Sequence, residues 1–326
     1  MAFRSPKVII IGGGIAGPVL ALALKQRNIS SIVFELRPHS IRREGGYFAL
    51  APNALRVLRS IGVYDEIRSQ GYNYEGLDFL SSRNLAVLGR VQNGSLKHYG
   101  FEALRVSRHL VRQALLVELL RQGIEIRYDS KCIQITEDDI YLQEEEEEEE
   151  AGRYGGVTVE FANGHVERGD FVVGADGIHS SVRKYIDPAG ESEPQFTRLM
   201  GVGGTVHRSR LSALRPDMSL PCLILGKDNS FAMMPATNDG SEIGFFATIE
   251  EEERSRDTWA ELGSDKEYLS KVLKERHSAD NTSWPEVVRQ VCLEMPSESL
   301  TVWPYVVLSL LSPFLFSRKP TSFPAC

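Results

Sequence analysis

Between Lys7 and Gly17 the chain reads Lys-Val-Ile-Ile-Ile-Gly-Gly-Gly-Ile-Ala-Gly, and this stretch limits the possible fold more than any other. Four consecutive aliphatic residues without alternation predict a strand buried on both faces, as in a parallel sheet. Gly12, Gly14 and Gly17 then fall at the G-x-G-x-x-G spacing of a dinucleotide-binding turn. In such a turn the first glycine takes the tight bend and the second lets the backbone approach a pyrophosphate. The third lets the following helix pack close to its strand. That helix offers unpaired N–H groups and a partial positive charge to the phosphates.

Context strengthens a motif that is weak alone. Residues 20–27 continue as a helix, and Pro18 sits in its first turn, where its missing N–H costs nothing. Ser31-Ile32-Val33-Phe34-Glu35 predicts a second strand ending in an acid. That acid stands about 20 residues past the glycines, where a ribose 2′-hydroxyl is expected. A signal peptide or membrane helix over 8–24 is the competing reading. The glycines, Pro18, the acid at 35 and the lack of a small-residue cleavage site oppose it.

A chain of 326 residues is long enough for two domains. The formal net charge of −7 is accounted for by Glu144–Glu150, so it says nothing about a partner surface. That run predicts a solvated hairpin tip whose returning arm is residues 157–161. No basic patch with interleaved aromatics occurs, which argues against nucleic acid. Cys132, Cys222, Cys292 and Cys326 are scattered without a C-x-x-C pair, so no metal site is expected and a reducing, cytoplasmic setting fits.

Further along, residues 52–62 show helical spacing closed by Gly62, and 77–91 read as irregular strands. Residues 104–122 predict a helix with Leu110, Ala114, Leu115, Val117, Leu119 and Leu120 on its apolar face. Asp170–Gly174 reads as a buried strand that returns to the first sheet and ends in Ala175-Asp176-Gly177, making the nucleotide domain discontinuous. Residues 220–225, 231–235 and 242–249 predict antiparallel strands, followed by helices over 266–277 and 285–293. The apolar end, 302–316, carries Pro304 and Pro313 and is too short to span a membrane, so core or pocket lining is expected.

Three stretches together resemble the single-component FAD-dependent monooxygenases with the p-hydroxybenzoate hydroxylase fold. They are the glycine turn with Glu35, Arg105-Val106-Ser107-Arg108 read as a helix opening, and Gly174-Ala175-Asp176-Gly177-Ile178-His179-Ser180-Ser181-Val182-Arg183. The resemblance extends from residue 7 to 304 and is strongest over the first 190. The fold class it implies is α/β: a discontinuous Rossmann-like FAD-binding domain (1–75 and 103–190) with an inserted, mainly antiparallel substrate domain (76–102 and 191–305).

Position by position, the resemblance implies that Gly12, Gly14 and Gly17 hold the FAD pyrophosphate and Glu35 the adenosine ribose. It matches Ala49 to a backbone contact with FAD, Arg108 to an arginine that reaches it, and Asp176 and Gly177 to a motif that handles FAD and NAD(P)H. It further implies NAD(P)H as a transient reductant and a flavin hydroperoxide that hydroxylates or epoxidises an aromatic or polycyclic small molecule. Tyr47, His179, Arg198 and His207 are candidate pocket residues, and no catalytic residue is assigned.

The family also carries a late strand ending Gly-Asp. Here the pair occurs only at Gly169-Asp170, before Asp176, and residues 306–326 look unrelated to that strand, so truncation before the motif is expected. A remnant without turnover is therefore a second reading, and a flavin-dependent reductase on the same fold a third. A halogenase is disfavoured because no W-x-W-x-I motif occurs.

Overall fold

The aliphatic run forms the strand that its lack of alternation predicts, Lys7–Ile11, with Ile9 and Ile10 fully buried. In the computed structural model, which describes residues 5–39, 46–137, 156–190, 192–227, 229–278 and 284–308, this strand is paired on both sides. Its neighbours are Ser30–Phe34 and Phe171–Gly174, both parallel to it, and Glu125–Arg127 adds a fourth parallel strand beyond Ser30–Phe34. Phe171–Gly174 does return to the first sheet, from more than 130 residues away, but as its edge strand it is half-buried to exposed rather than buried.

The chain divides into two compact units. The first is built from described residues of 1–44 and 112–194, the second from 45–111 and 195–307. Residues 46–75 and 103–111 thus pack with the second unit. The division expected from sequence places them in the nucleotide domain.

In the first unit, helix Ala16–Lys25 follows the glycine turn and buries Gly17, Pro18, Ala21 and Leu22. A three-stranded antiparallel sheet, ordered Val166–Gly169, Val157–Phe161, Cys132–Glu137, supplies the other side of the core. There Ile9, Ile11, Ile32 and Phe34 pack with Ile135, Val157, Val159 and Phe161. The rings of Phe34 and Phe161 stack with centroids 4.2 Å apart. The arms of the expected hairpin pair as read, while its acidic tip lies outside the described residues.

The reading of 104–122 as one helix needs correction. Ala103–Ser107 is a strand and the helix runs Arg108–Arg121. Leu104 and Val106 are buried there because Ala103–Ser107 is paired on both edges, by Tyr47–Leu50 and Tyr72–Tyr74. The helix's buried stripe is Val111, Leu115 and Leu119, at four-residue spacing, whereas Val117 and Leu120 are exposed.

The second unit holds a seven-stranded sheet, ordered Thr301–Val307, Gln195–His207, Glu242–Glu250, Ser230–Pro235, Cys222–Leu225, Gly76–Ser81, Val87–Gln92. All neighbours are antiparallel except Cys222–Leu225 with Gly76–Ser81. Helices Lys266–His277 and Glu286–Glu294 cover it through Leu269, Leu273, Val287, Val288 and Val291. The longest strand, Gln195–His207, is not anticipated from sequence, because Gly201, Gly203 and Gly204 interrupt its apolar pattern. The Trp303 ring fills the room that Gly201 and Gly203 leave, since a Cβ on Gly201 would come within 2.5 Å of it, while Ser299 packs against Gly204. Among the described residues no helix is long and apolar enough to cross a membrane.

Candidate functional site

Parallel pairing brings distant motifs to one edge. Ile11 is in register with both Phe34 and Gly174, so the three strands end side by side. What leaves those ends is the glycine turn, Glu35 and Ala175-Asp176-Gly177. In open parallel sheets, ligands bind outside the carboxyl ends of the strands, where the order of connection reverses. Lys7–Ile11 is that reversal point, with its sequence successor on one side and a strand from residue 171 on the other.

Each glycine of the turn has its own physical reason. Gly12 has φ +117°, and a Cβ there would lie 2.3 Å from the Ala175 carbonyl oxygen. A Cβ on Gly17 would lie 2.0 Å from the Gly12 carbonyl oxygen, so helix and turn could not pack as they do. Gly14 differs: nothing lies within 4 Å of where its Cβ would be. The fold does not require a glycine at 14, and the open space leaves its backbone accessible to a ligand. The helix that starts here has no side-chain cap and no acid in its first turn, which leaves its N-terminal partial charge for an anion.

Glu35 is 6% exposed and holds the turn from below. Its Oε2 accepts the Gly13 N–H at 2.9 Å and its Oε1 the Arg37 N–H at 3.1 Å. Across the first strand, Asp176 accepts the Ser181 N–H through Oδ2 at 2.7 Å, while its buried Oδ1 has no hydrogen-bond partner among the described residues. An orphaned carboxylate oxygen at this edge is what a ligand hydroxyl would satisfy. Burial first, and then the Asp176 charge, push the nearby Cys132 thiol up to about 11, so it is no nucleophile. Gly177 has φ +81°, which turns the chain into the short helix Gly177–His179. Ser180 then caps helix Ser181–Ile186 by accepting the Arg183 N–H at 2.9 Å.

Two features of this edge fit a dinucleotide: the open space over Gly14 and the unsatisfied Asp176 oxygen. Gly12, Gly14, Gly17, Glu35, Asp176 and Gly177 share one edge. Sequence reasoning missed Arg112, whose Nε donates to the Gly13 carbonyl at 2.9 Å and clamps the turn. Its signal was there: it follows Arg108 by four residues on the same helix.

Ala49 and Arg108 lie in the second unit. Ala49 is an exposed strand residue paired with Arg105, and Arg108 places its guanidinium 5.2 Å from the centre of the Phe48 ring. His207 is exposed and accepts the Ser209 N–H at 3.3 Å, which caps a short turn. Asp170 is at the opposite edge of the first sheet from the glycine turn, where its Oδ2 accepts the Lys7 N–H at 2.6 Å. Gly169-Asp170 therefore cannot stand in for the late Gly-Asp motif.

Residues 5–291 match the family described as FAD binding domain. Among curated proteins, the chain is 29% identical over 261 residues to 3-amino-4-hydroxybenzoate 2-monooxygenase PtmB3 of Streptomyces platensis, covering 78% of this chain and 59% of that protein. It is 27% identical to 6-hydroxynicotinate 3-monooxygenase of Bordetella bronchiseptica, covering 76% of this chain and 60% of the relative. The chain thus spans about three-fifths of the length of these relatives. Its fold matches that of Klebsiella pneumoniae HpxO complexed with FAD and uric acid, with a TM-score of 0.71, 18% identity and coverage of 93% of this chain and 68% of that one. On the match of its motifs, its parallel sheet and most of its length, the chain belongs to the FAD-binding-domain family.

Proposed function

We propose that this chain is a FAD-dependent monooxygenase that uses NAD(P)H and oxygen on an aromatic small molecule. The convergence of the glycine turn, Glu35 and Asp176-Gly177 at one carboxyl edge, with open backbone at Gly14, carries the reading. The relatives are named for oxygenation of ring acids, which supports an aromatic substrate. Bound flavin supplies the redox chemistry and oxygen activation. In this proposal the residues of the chain bind and orient. The N–H groups behind Gly12, Gly14 and Gly17 face the pyrophosphate, and Glu35 takes a ribose hydroxyl. Asp176 Oδ1 takes a further hydroxyl, and Arg112 holds the turn rigid. Ala49 and Arg108 keep their place as cofactor contacts by resemblance alone. NAD(P)H docks transiently, and neither nucleic acid nor metal is a partner. Buried free thiols at Cys132, Cys222 and Cys292 fit a cytoplasmic setting.

The alternative reading is FAD binding without coupled turnover. One preparation tests both. A yellow protein whose NAD(P)H oxidation and oxygen uptake rise with an aromatic substrate supports the monooxygenase. Retained flavin without stimulated oxidation supports the second reading, and a colourless protein overturns both.

A further inference from the structure

Arg105 is 7% exposed and stands in strand Ala103–Ser107, the middle strand of a second three-stranded sheet whose edges are Tyr47–Leu50 and Tyr72–Tyr74. Its Nη1 donates to the Met234 sulfur at 2.9 Å, a weak acceptor, and its buried Nε has no partner among the described residues. Nη2 lies against Gly244, where a Cβ would come within 3.0 Å of it. The Tyr47 ring, centred 5.3 Å from the guanidinium carbon, gives partial compensation. Among the described residues no acid forms an ion pair with it, and the neutral phenols of Tyr74 and Tyr47 are the titratable groups beside it. Burial pushes the guanidinium down to about 10. A buried cation left this way is strongly unfavourable unless something arrives to pair with it.

Register indicates what arrives. Residues opposite each other in an antiparallel pair share a face. Ala49 and Tyr72 are both partners of Arg105, and Tyr47 and Tyr74 pair with Ser107 and Ala103, two residues to either side. One face of the small sheet therefore carries a single planar cation flanked by tyrosines and by the small, exposed Ala49. We infer that Arg105 is the anchor for the carboxylate of an aromatic acid, its fork taking both oxygens in place of the Met234 sulfur, with tyrosines flanking the ring. The inference rests on the reading of this chain as acting on aromatic small molecules, and every residue it uses lies in the second unit.

The test is calorimetric titration of the purified chain with benzoate and with the neutral isostere benzamide. We expect benzoate to bind at least tenfold more tightly, and Arg105→Lys to keep part of the preference. Arg105→Met should abolish it while raising the melting temperature, the opposite of what loss of a structural arginine would do. Equal affinities, no binding of either probe to the folded wild-type chain, or a preference that survives Arg105→Met would overturn the inference. The wild-type comparison decides even if a variant misfolds. Flavin absorbance of the same sample separates the two proposals. A colourless chain that prefers benzoate overturns only the flavoenzyme reading, and a yellow chain without preference overturns only this one.

Discussion

The parallel sheet of the first unit and the antiparallel sheet of the second build their sites in opposite ways. The first uses backbone: positive φ at Gly12 and Gly177, a carbonyl pressed against Gly17, and strand ends brought level by register. The second uses a side chain, Arg105, made significant by what fails to surround it. Backbone sites leave spacing signatures in a sequence. A site made by burial does not, because the residues that bury Arg105 come from positions 47, 74, 234 and 244.

The sharpest way to break this contrast is within the glycine turn. Gly17→Ala presses a methyl group onto a backbone oxygen that cannot move aside, and should destabilise the chain by about 3 kcal/mol or more. Gly12→Ala should do the same and add backbone strain. Gly14→Ala has open space and should change the stability of the flavin-free chain by no more than about 1 kcal/mol. It should nevertheless weaken FAD binding more than tenfold. Thermal melts without flavin and FAD titration give both readings. If Gly14→Ala binds FAD normally, the backbone-cradle account of the first unit is wrong.

A comparable loss is expected in the second unit, but through pH. His277 is fully buried between Phe231 and Trp284, and burial lowers its pKa from 6.5 to about 4, outweighing the opposing effect of the Leu273 carbonyl. The folded state therefore binds fewer protons than the unfolded chain below pH 6.5. Stability is full above that point and falls as pH drops toward 4, by about 3 kcal/mol in all. Denaturant midpoints between pH 7 and pH 4 measure it. His277→Phe should flatten that part of the profile, and an unchanged slope would remove His277 as its source.

Legibility followed the same division. Lys7–Ile11, the turn, Glu35 and the strand into Asp176 were readable because each is contiguous and its pattern has one structural meaning. Arg105 was read as a helix residue, since Leu104 and Val106 fit an apolar stripe as well as a doubly paired strand. Pairing with residues 47–50 and 72–74 decided between them, and no local pattern reports such a pairing. Gln195–His207 was lost for the converse reason. Its glycines look like loop until Trp303 and Ser299, about a hundred residues away, are seen to occupy their space.

A smaller effect separates ligand from scaffold at Asp176. Asparagine keeps one carbonyl oxygen for the Ser181 N–H, so Asp176→Asn should leave the melting temperature nearly unchanged. It replaces the unsatisfied Oδ1 acceptor with a donor, which should weaken FAD by about tenfold, or ~1.4 kcal/mol. A fall in melting temperature without a change in FAD affinity would reassign Asp176 to the scaffold.

The smallest effect concerns the helix that carries Arg112. Its sequence offers Leu119 and Leu120 as neighbours on one apolar face, yet the first is fully buried and the second 69% exposed. Leu120→Gln should therefore shift stability by no more than about 0.5 kcal/mol, as expected of a solvated position. Leu119→Ala should cost about 2–5 kcal/mol and loosen the Arg112 clamp on Gly13 with it. Urea midpoints of the two variants, measured side by side, locate the buried face. A large loss from Leu120→Gln would mean that this side of the helix is covered in solution, and that the stripe through Leu115 and Leu119 is only part of the surface the helix buries.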